Sequence, residues 1–136
     1  MDYSIHYTIE PTLHKQLTYI LSLEHYFSCK LPKKLGPNSF LIVASKEDVP
    51  CGFCHLVKLN NTIWINAIYC SPLTRRQGVS SGIMEFFLSK IAENQIVCNE
   101  IVATILAGSK SNLIFEKFGF DYLSDGSNAM RLEVKN

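Results

Sequence analysis

The stretch Arg75-Arg76-Gln77-Gly78-Val79-Ser80 holds the residue types and spacing that could do chemistry. Two guanidinium groups and an amide precede a glycine, and Val79, Ile83, Phe86, Phe87 and Ile91 then recur at helical spacing. The first turn of any helix leaves backbone N–H groups without intrahelical partners, and the aligned peptide dipoles add partial positive charge there. Such a terminus is an anion site. Gly78 has no Cβ, so a phosphate can approach its backbone closely, and Ser80, Ser81 and Gly82 keep the turn uncrowded. Arg75 and Arg76 add charge and donors suited to a diphosphate. By itself such a turn is also what an ordinary surface turn before a helix looks like. The weight comes from its context of strand, turn and helix in that order. A Gly-Lys-Ser/Thr after a Gly-rich loop is missing, and so is Gly-x-Gly-x-x-Gly, which sets aside the common nucleotide and dinucleotide loops.

The elements that must position this turn can be read from periodicity. Ile5, Tyr7 and Ile9 alternate with polar residues, which predicts a strand over 3–10. Pro11-Thr12 starts a helix with Leu13, Leu17, Ile20, Leu21 and Leu23 on one stripe, and a loop with Pro32, Gly36 and Pro37 follows over 27–39. A buried strand is expected over 40–44, a charged turn over 46–50, and two strands over 52–59 and 62–70. Asn60-Asn61 joins the last two as a hairpin, because asparagine tolerates positive φ. The main helix runs over 78–94, with a strand over 100–106 and a short helix over 112–118. Gly119 is placed to end that helix in the left-handed conformation. Strands over 120–123 and 129–134 close the chain. The order β-α-β-β-β-α-β-α-β-β, with a helix between two strands, implies a crossover to a parallel neighbour. The fold class is therefore α/β in the α+β sense, a central twisted mixed sheet flanked by helices, in a single domain over residues 1–136.

Composition narrows the function classes. The 136 residues are 47% hydrophobic and 18% charged, enough for one core and too weakly charged for a disordered chain. Thirteen basic residues against twelve acidic ones give a net charge of +1, which supplies no electrostatic footprint for nucleic acid or an anionic membrane. No apolar run is long enough to cross a bilayer and no leader-like pattern opens the chain, so the expected location is the cytoplasm. Five cysteines, an odd number without a secretory signal, argue against a disulfide framework. Cys51 and Cys54 form a Cys-x-x-Cys, but it has no second pair and starts a strand instead of a helix. Residues three apart on a strand are expected on opposite faces, so no metal site is expected.

At this point the sequence resembles the GNAT superfamily of N-acyltransferases. The family's cofactor signature, Arg/Gln-x-x-Gly-x-Gly/Ala after a strand, is matched by Cys70-Ser71-Pro72 leading into Arg75-x-x-Gly78-x-Ser80, with a small serine in place of the usual Gly or Ala. A second signature, an aromatic residue followed by Glu-Lys-x-Gly-Phe, reads Phe115-Glu116-Lys117-Phe118-Gly119-Phe120. Gly52-Phe53 and Met130-Arg131-Leu132-Glu133 match looser features, and the likeness spans nearly the whole chain. The resemblance implies a gap between strands 64–70 and 100–106 that takes the pantetheine arm of acetyl-coenzyme A, paired with backbone at Ile68, Tyr69 and Cys70. It places the pyrophosphate on the N–H groups of Arg76, Gln77, Gly78, Val79, Ser80 and Ser81, with Arg75, Asn112 and Phe115 also on the cofactor. The implied partners are an acyl-coenzyme A and an amine acceptor, small molecule or protein amine, and homodimers are common among relatives.

The implied chemistry is direct transfer: an amine loses a proton, attacks the thioester and expels a thiolate, with the oxyanion held by strand backbone N–H. The departures lie in the acid and the base. Phe115 occupies the position where relatives often carry a tyrosine acid, and Tyr122 reads as a half-buried strand residue. Trp64, Asn66, Ile68 and Cys70 are read as one strand face, which holds no carboxylate; Asn66 is the candidate there, able to orient a water but not to take a proton. His55 titrates in the right range but reads as a satisfied sheet histidine. Two readings follow: an N-acetyltransferase that relies on positioning and solvent-relayed protons, or a non-catalytic acyl-coenzyme A-binding or regulatory module on the same fold.

Overall fold

The structure is a computed structural model and describes residues 5–10, 38–47, 49–70, 78–104, 111–123 and 128–134. Seven strands form one sheet: β1 (Ile5–Glu10), β2 (Ser39–Lys46), β3 (Val49–Leu59), β4 (Thr62–Cys70), β5 (Glu100–Thr104), β6 (Asp121–Tyr122) and β7 (Ala129–Glu133). Two helices are described, α1 (Val79–Ala92) and α2 (Ser111–Lys117). The spatial order is β1-β2-β3-β4-β5-β7-β6. β4 and β5 pair in parallel across the α1 crossover, and the remaining pairs are antiparallel. The mixed sheet and the parallel neighbour are as the periodicity implies. The expected helix at Pro11-Thr12 and the 27–39 loop lie outside the described residues, apart from Asn38 and Ser39.

Local chemistry explains most boundaries. Asn60 takes φ 56 in the β3–β4 turn, the left-handed role expected of it. The expected charged turn over 46–50 is shorter than predicted, because Pro50 and Val49 already pair with Ser45 and Lys46. Gly119 has φ 91 and ends α2. Its N–H donates to the Glu116 carbonyl at 3.1 Å, while the Phe120 N–H donates to the Phe115 carbonyl at 3.0 Å. This is a Schellman closure, and the contact that accompanies it is Phe115 on Phe120, ring centroids 5.3 Å apart. The Phe-Glu-Lys-Phe-Gly-Phe signature is thus, in physical terms, a helix stop. Asn94, at φ 61, closes α1 in the same way.

α1 lies on β1 to β4 and buries Val79, Ile83, Met84, Phe87 and Ile91. Each contributes roughly 1.5–3 kcal/mol of gross burial. Phe86, expected on that stripe, is only half-buried and stacks instead on Tyr7 of β1 at 5.7 Å. Beneath α1 lie Ile42, Ala44, Cys54, Leu56, Ile63, Ile65 and Ile101, with Phe115, Phe120 and Met130. On the opposite face, Leu41, Val43 and Phe53 are at most 1% exposed. Among the described residues no helix is long and apolar enough to cross a membrane.

Two bulges interrupt the alternation of the sheet. In β2–β3, Ala44 faces Gly52 but Ser45 faces Pro50, so Cys51 is an extra residue. In β3–β4, His55 faces Ala67 but Leu56 faces Ile65, so Asn66 is extra. Each corrects an expectation built on strict period two. Cys51 and Cys54 fall into one core cluster instead of on opposite faces. Trp64 and the pair Ile68, Cys70 do not share a face: Trp64 pairs with Val57 on the side away from α1, whereas Ile68 and Cys70 pack under α1. Neither face of β4 carries a carboxylate.

Candidate functional site

The parallel pairing of β4 and β5 begins at Thr62 with Glu100 and ends at Ile65 with Ala103. Among the described residues β4 then runs on from Ala67 to Cys70 paired with β3 alone. Among the described residues nothing pairs with the outer edge of this stretch, which leaves a gap in the sheet beside β4. The other end is held shut by side chains. Thr62 Oγ1 donates to Glu100 Oε1 at 2.8 Å, and Arg131 Nε on β7 donates to Glu100 Oε2. The Arg131 hydrogen bond, then that of Thr62, holds the Glu100 carboxyl below the usual carboxylate range. The Asn99 N–H also donates to the Asn61 carbonyl at 2.7 Å, tying the segment before β5 to the β3–β4 turn.

The bulge residue Asn66 sits where the gap starts. Its side chain is exposed. A bulge leaves the extra residue outside the ladder and re-aims what surrounds it. The 3.6-residue logic of helices and the two-residue logic of strands give no sign of it, and no Gly or Pro marks it in the sequence.

α1 supplies the second part. Gly78 is its N-cap, at φ 77 and ψ 21, with no side-chain cap and no acidic residue in the first turn. The first-turn N–H groups therefore point outward without an acceptor from the cap. A Cβ on Gly78 would meet nothing within 4 Å, so the surroundings are open and the constraint on the residue is its left-handed backbone. Gly82 has a different reason from the one expected. The Tyr7 hydroxyl lies 1.8 Å from where its Cβ would be, so this glycine makes room for β1, not for a ligand. Lys117 of α2 reaches the same turn, its Nζ 3.2 Å from Ser81 Oγ. Sequence reasoning missed Lys117 as a charge near this site, because α1 and α2 meet only in the folded chain.

The predicted site residues divide as follows. Ile68 and Cys70 line the end of β4 on the α1 side, both half-buried, and Tyr69 lies between them in register with Phe53. Gly78, Val79, Ser80 and Ser81 form the start of α1; Val79 is buried and Ser80 and Ser81 are half-buried. Arg75, Arg76 and Gln77 lie outside the described residues. Asn112 lies in the first turn of α2. Phe115 is 1% exposed and packs in the core against Phe120 with the rings tilted. Tyr122 is 54% exposed, more open than the half-buried residue expected. A hollow of about 400 Å³ lined by Ile9, Phe40, Lys58 and Ile96 lies at the closed end of the sheet, away from this gap.

His55 differs from its expected role. It is 9% exposed, and its Nε2 is buried without a hydrogen-bond partner among the described residues. Leaving such a group unpaired costs about 1–3 kcal/mol. Burial also pushes the imidazole below the ordinary histidine value, so it is neutral near pH 7. Cys54, fully buried on the same strand, has its thiol pushed well up by burial. Among the described residues no group of three or more His, Cys, Asp or Glu side chains could hold a metal ion.

A sheet whose parallel central pair parts beside an uncapped helix terminus is the architecture of acyl-coenzyme A N-acyltransferases. Residues 37–122 match the family model for the acetyltransferase (GNAT) domain, and the chain belongs to that family. Among solved structures it is similar to the ribosomal-protein-S18-alanine N-acetyltransferase from Escherichia coli, at 13% identity over 96% of both chains, with TM-score 0.74. It is similar to ElaA from Escherichia coli at 16% identity over 96% of this chain and 100% of that one, TM-score 0.71. The PaiA N-acetyltransferase from Thermoplasma acidophilum, solved in complex with coenzyme A, aligns at 15% identity over 88% of this chain and 70% of that one, TM-score 0.61. At these identities the likeness is one of fold. Against curated protein sequences the chain finds no significant match.

Proposed function

We propose that this chain is an N-acetyltransferase that moves the acetyl group of acetyl-coenzyme A directly to an amine, as one domain in the cytoplasm. The observation that carries the reading is the end of β4–β5 pairing at Ile65 and Ala103, with the Asn66 bulge at its mouth and the uncapped Gly78 turn beyond it. The pantetheine arm carries amides, and an unpaired strand edge is what an extended, amide-bearing chain pairs with. Ile68, Tyr69 and Cys70 supply that edge. The diphosphate takes the N–H groups of the Gly78, Val79, Ser80 and Ser81 turn, with Arg75, Arg76 and Gln77 before it and Asn112 and Lys117 on the α2 side. The backbone at Asn66, freed from the ladder, offers an N–H to the thioester oxygen as it becomes an oxyanion. The amine lone pair attacks the carbonyl carbon, the C–S bond breaks, and coenzyme A leaves as thiolate. The acceptor is an amine of a small molecule or a protein.

A second reading, an acyl-coenzyme A-binding module without turnover, is favoured by one observation: neither β4 face carries a carboxylate and Phe115 carries no hydroxyl. One titration addresses both. Acetyl-coenzyme A at about 100 times its Kd adds roughly 2.7 kcal/mol of stability, on the order of 5–15 °C in Tm for a domain of this size. The Arg76→Glu, Gly78→Glu double variant is expected to show no shift. Thiol release with an amine panel then separates enzyme from module. A wild type that does not shift at millimolar ligand overturns both readings.

A further inference from the structure

The proton that the acceptor amine sheds has no carboxylate to go to on β4, and that shortage directs attention to His55. Its strand position is specific. His55 registers with Ala67, the residue just past the Asn66 bulge, and the next residue, Leu56, registers with Ile65, just before it. Cross-strand partners in an antiparallel pair lie about 4.5–5.5 Å apart. His55 therefore flanks the point where β4 leaves β5. Its side chain is on the face away from α1, shared with Leu41, Val43 and Phe53. The described residues on that face of β2 and β3 include Val57 and carry no charge, and Trp64 on β4 carries none. On β1 the same face carries His6 and Glu10, Glu10 registering with Leu41, which is itself opposite His55, and on β4 Tyr69 registers with Phe53.

At this position Nε2 is buried and lacks a partner among the described residues. Buried polar atoms in folded proteins are nearly always satisfied, by protein or by ordered water, and the exceptions concentrate where chemistry is done. Bulges are likewise enriched beside active sites. An apolar strand position filled by a leucine would fold at lower cost than one filled by an unpaired imidazole. Two independent features, the unpaired nitrogen and the bulge it flanks, thus meet at one place.

Resting on the N-acetyltransferase reading, we propose that His55 is the proton acceptor of the transfer, taking the acceptor ammonium's proton through a water molecule held at the Asn66 bulge. The ammonium gives one proton to the water, and the water gives one of its own to Nε2, leaving an imidazolium. The freed nitrogen lone pair attacks the thioester carbon. Collapse breaks the C–S bond, and the pair of electrons leaves on sulfur. The nitrogen's second proton passes by solvent to the thiolate, giving free thiol and a neutral amide, and the imidazolium returns its proton to bulk water. Neutral His55 is the form this step needs, and burial keeps it neutral near pH 7. His55 does not touch the reacting atoms. Its role is that of a relayed base.

The test is a titration of the full chain with acetyl-coenzyme A, followed on the same samples by thermal shift and by the ring nitrogen resonances of His55, assigned through bonds. The expected result is an Nε2 unprotonated at pH 7 whose resonance moves in step with the thermal shift. A thermal shift with a stationary His55 overturns this inference and leaves the acetyl-coenzyme A reading intact. Absence of any thermal shift overturns that reading and the inference with it. With an amine that gives thiol release, His55→Gln is expected to lower kcat about 10²–10⁴-fold. The KM for acetyl-coenzyme A should hold, and the acidic limb of the pH profile that reports an imidazole should vanish. Wild-type kcat in His55→Gln, or an unchanged limb, overturns the inference. If His55→Gln does not fold, the ring-nitrogen measurement on the wild type decides by itself.

Discussion

Ile65 and Ala103 are the last residues at which β4 and β5 keep parallel register, and Asn66, the next residue along β4, is the bulge in its pairing with β3. The two irregularities fall at one point, so one added residue turns β4 and the same step leaves its edge without a partner among the described residues.

On the proposed acetyltransferase reading, the backbone N–H of Asn66, not its side chain, is the functional group. Asn66→Ala is expected to keep kcat/KM within about threefold, because the exposed amide is not a base. Asn66→Pro, which removes the N–H, is expected to lower kcat by about 10²–10³, the usual cost of one oxyanion donor. Deletion of Asn66 is expected to close the bulge and lower kcat with the loss of that N–H, while Ala67 then follows Ile65 in regular alternation and Ile68 and Cys70 keep their face, so coenzyme A binding is retained. Steady-state kinetics and a binding titration check all three. An Asn66→Ala that is as inactive as Asn66→Pro would move the role to the side chain.

Gly78 is held by conformation alone, with φ 77 and open space around it. Gly78→Ala is expected to destabilise the fold by about 1–2 kcal/mol, the cost of an L-residue in the left-handed region. Gly78→Asn should cost less. Thermal melts of the two variants give the order, and equal losses would mean that space, not backbone angle, sets the constraint.

Gly82 and Tyr7 form a coupled pair. Gly82→Ala would put its Cβ 1.8 Å from the Tyr7 oxygen. The strain is expected to cost about 1–3 kcal/mol. Tyr7→Ala removes the obstruction, so the double variant should lose less than the two single losses combined, which a double-mutant cycle measures. Strict additivity would show that β1 can move aside freely.

The Glu100 staple predicts a pH dependence. The carboxyl is held below its ordinary value of 4.5 by Arg131 and then by Thr62. Its stabilising contribution is therefore present above the unfolded value and lost as pH falls through the lower, folded one. Melts of wild type and Glu100→Gln at pH 7 and across the range below 4.5 should differ most at pH 7 and converge in acid. The difference is expected to be small, because Glu100 and Arg131 keep 31% and 41% of their side-chain surface in water. A gap that widened in acid would contradict the assignment.

Much of this protein was legible in its sequence because it depends on short-range rules. Asn60 and Gly119 take the left-handed angles that their turn and helix end require, and both lie where residue type alone puts them. The α1 stripe, the strand order about Asn60-Asn61 and the parallel neighbour across α1 follow from periodicity and chain connectivity. The glycine start of α1 is readable because a helix start without a side-chain cap needs only a glycine and the absence of acidic residues.

What tertiary structure alone decided are relations between distant segments. A bulge is a difference in count between two strands, so Cys51 and Asn66 cannot be recognised as extra residues until β2, β3 and β4 are paired. The face of Trp64 relative to Ile68 and Cys70, misjudged by strict alternation, followed from that count. Gly82 needed Tyr7, 75 residues earlier, to explain it. Lys117 met Ser81 only when α2 packed beside α1. That the nitrogen of His55 has no partner among the described residues is a property of its surroundings, and no single residue's type can state what its neighbours offer.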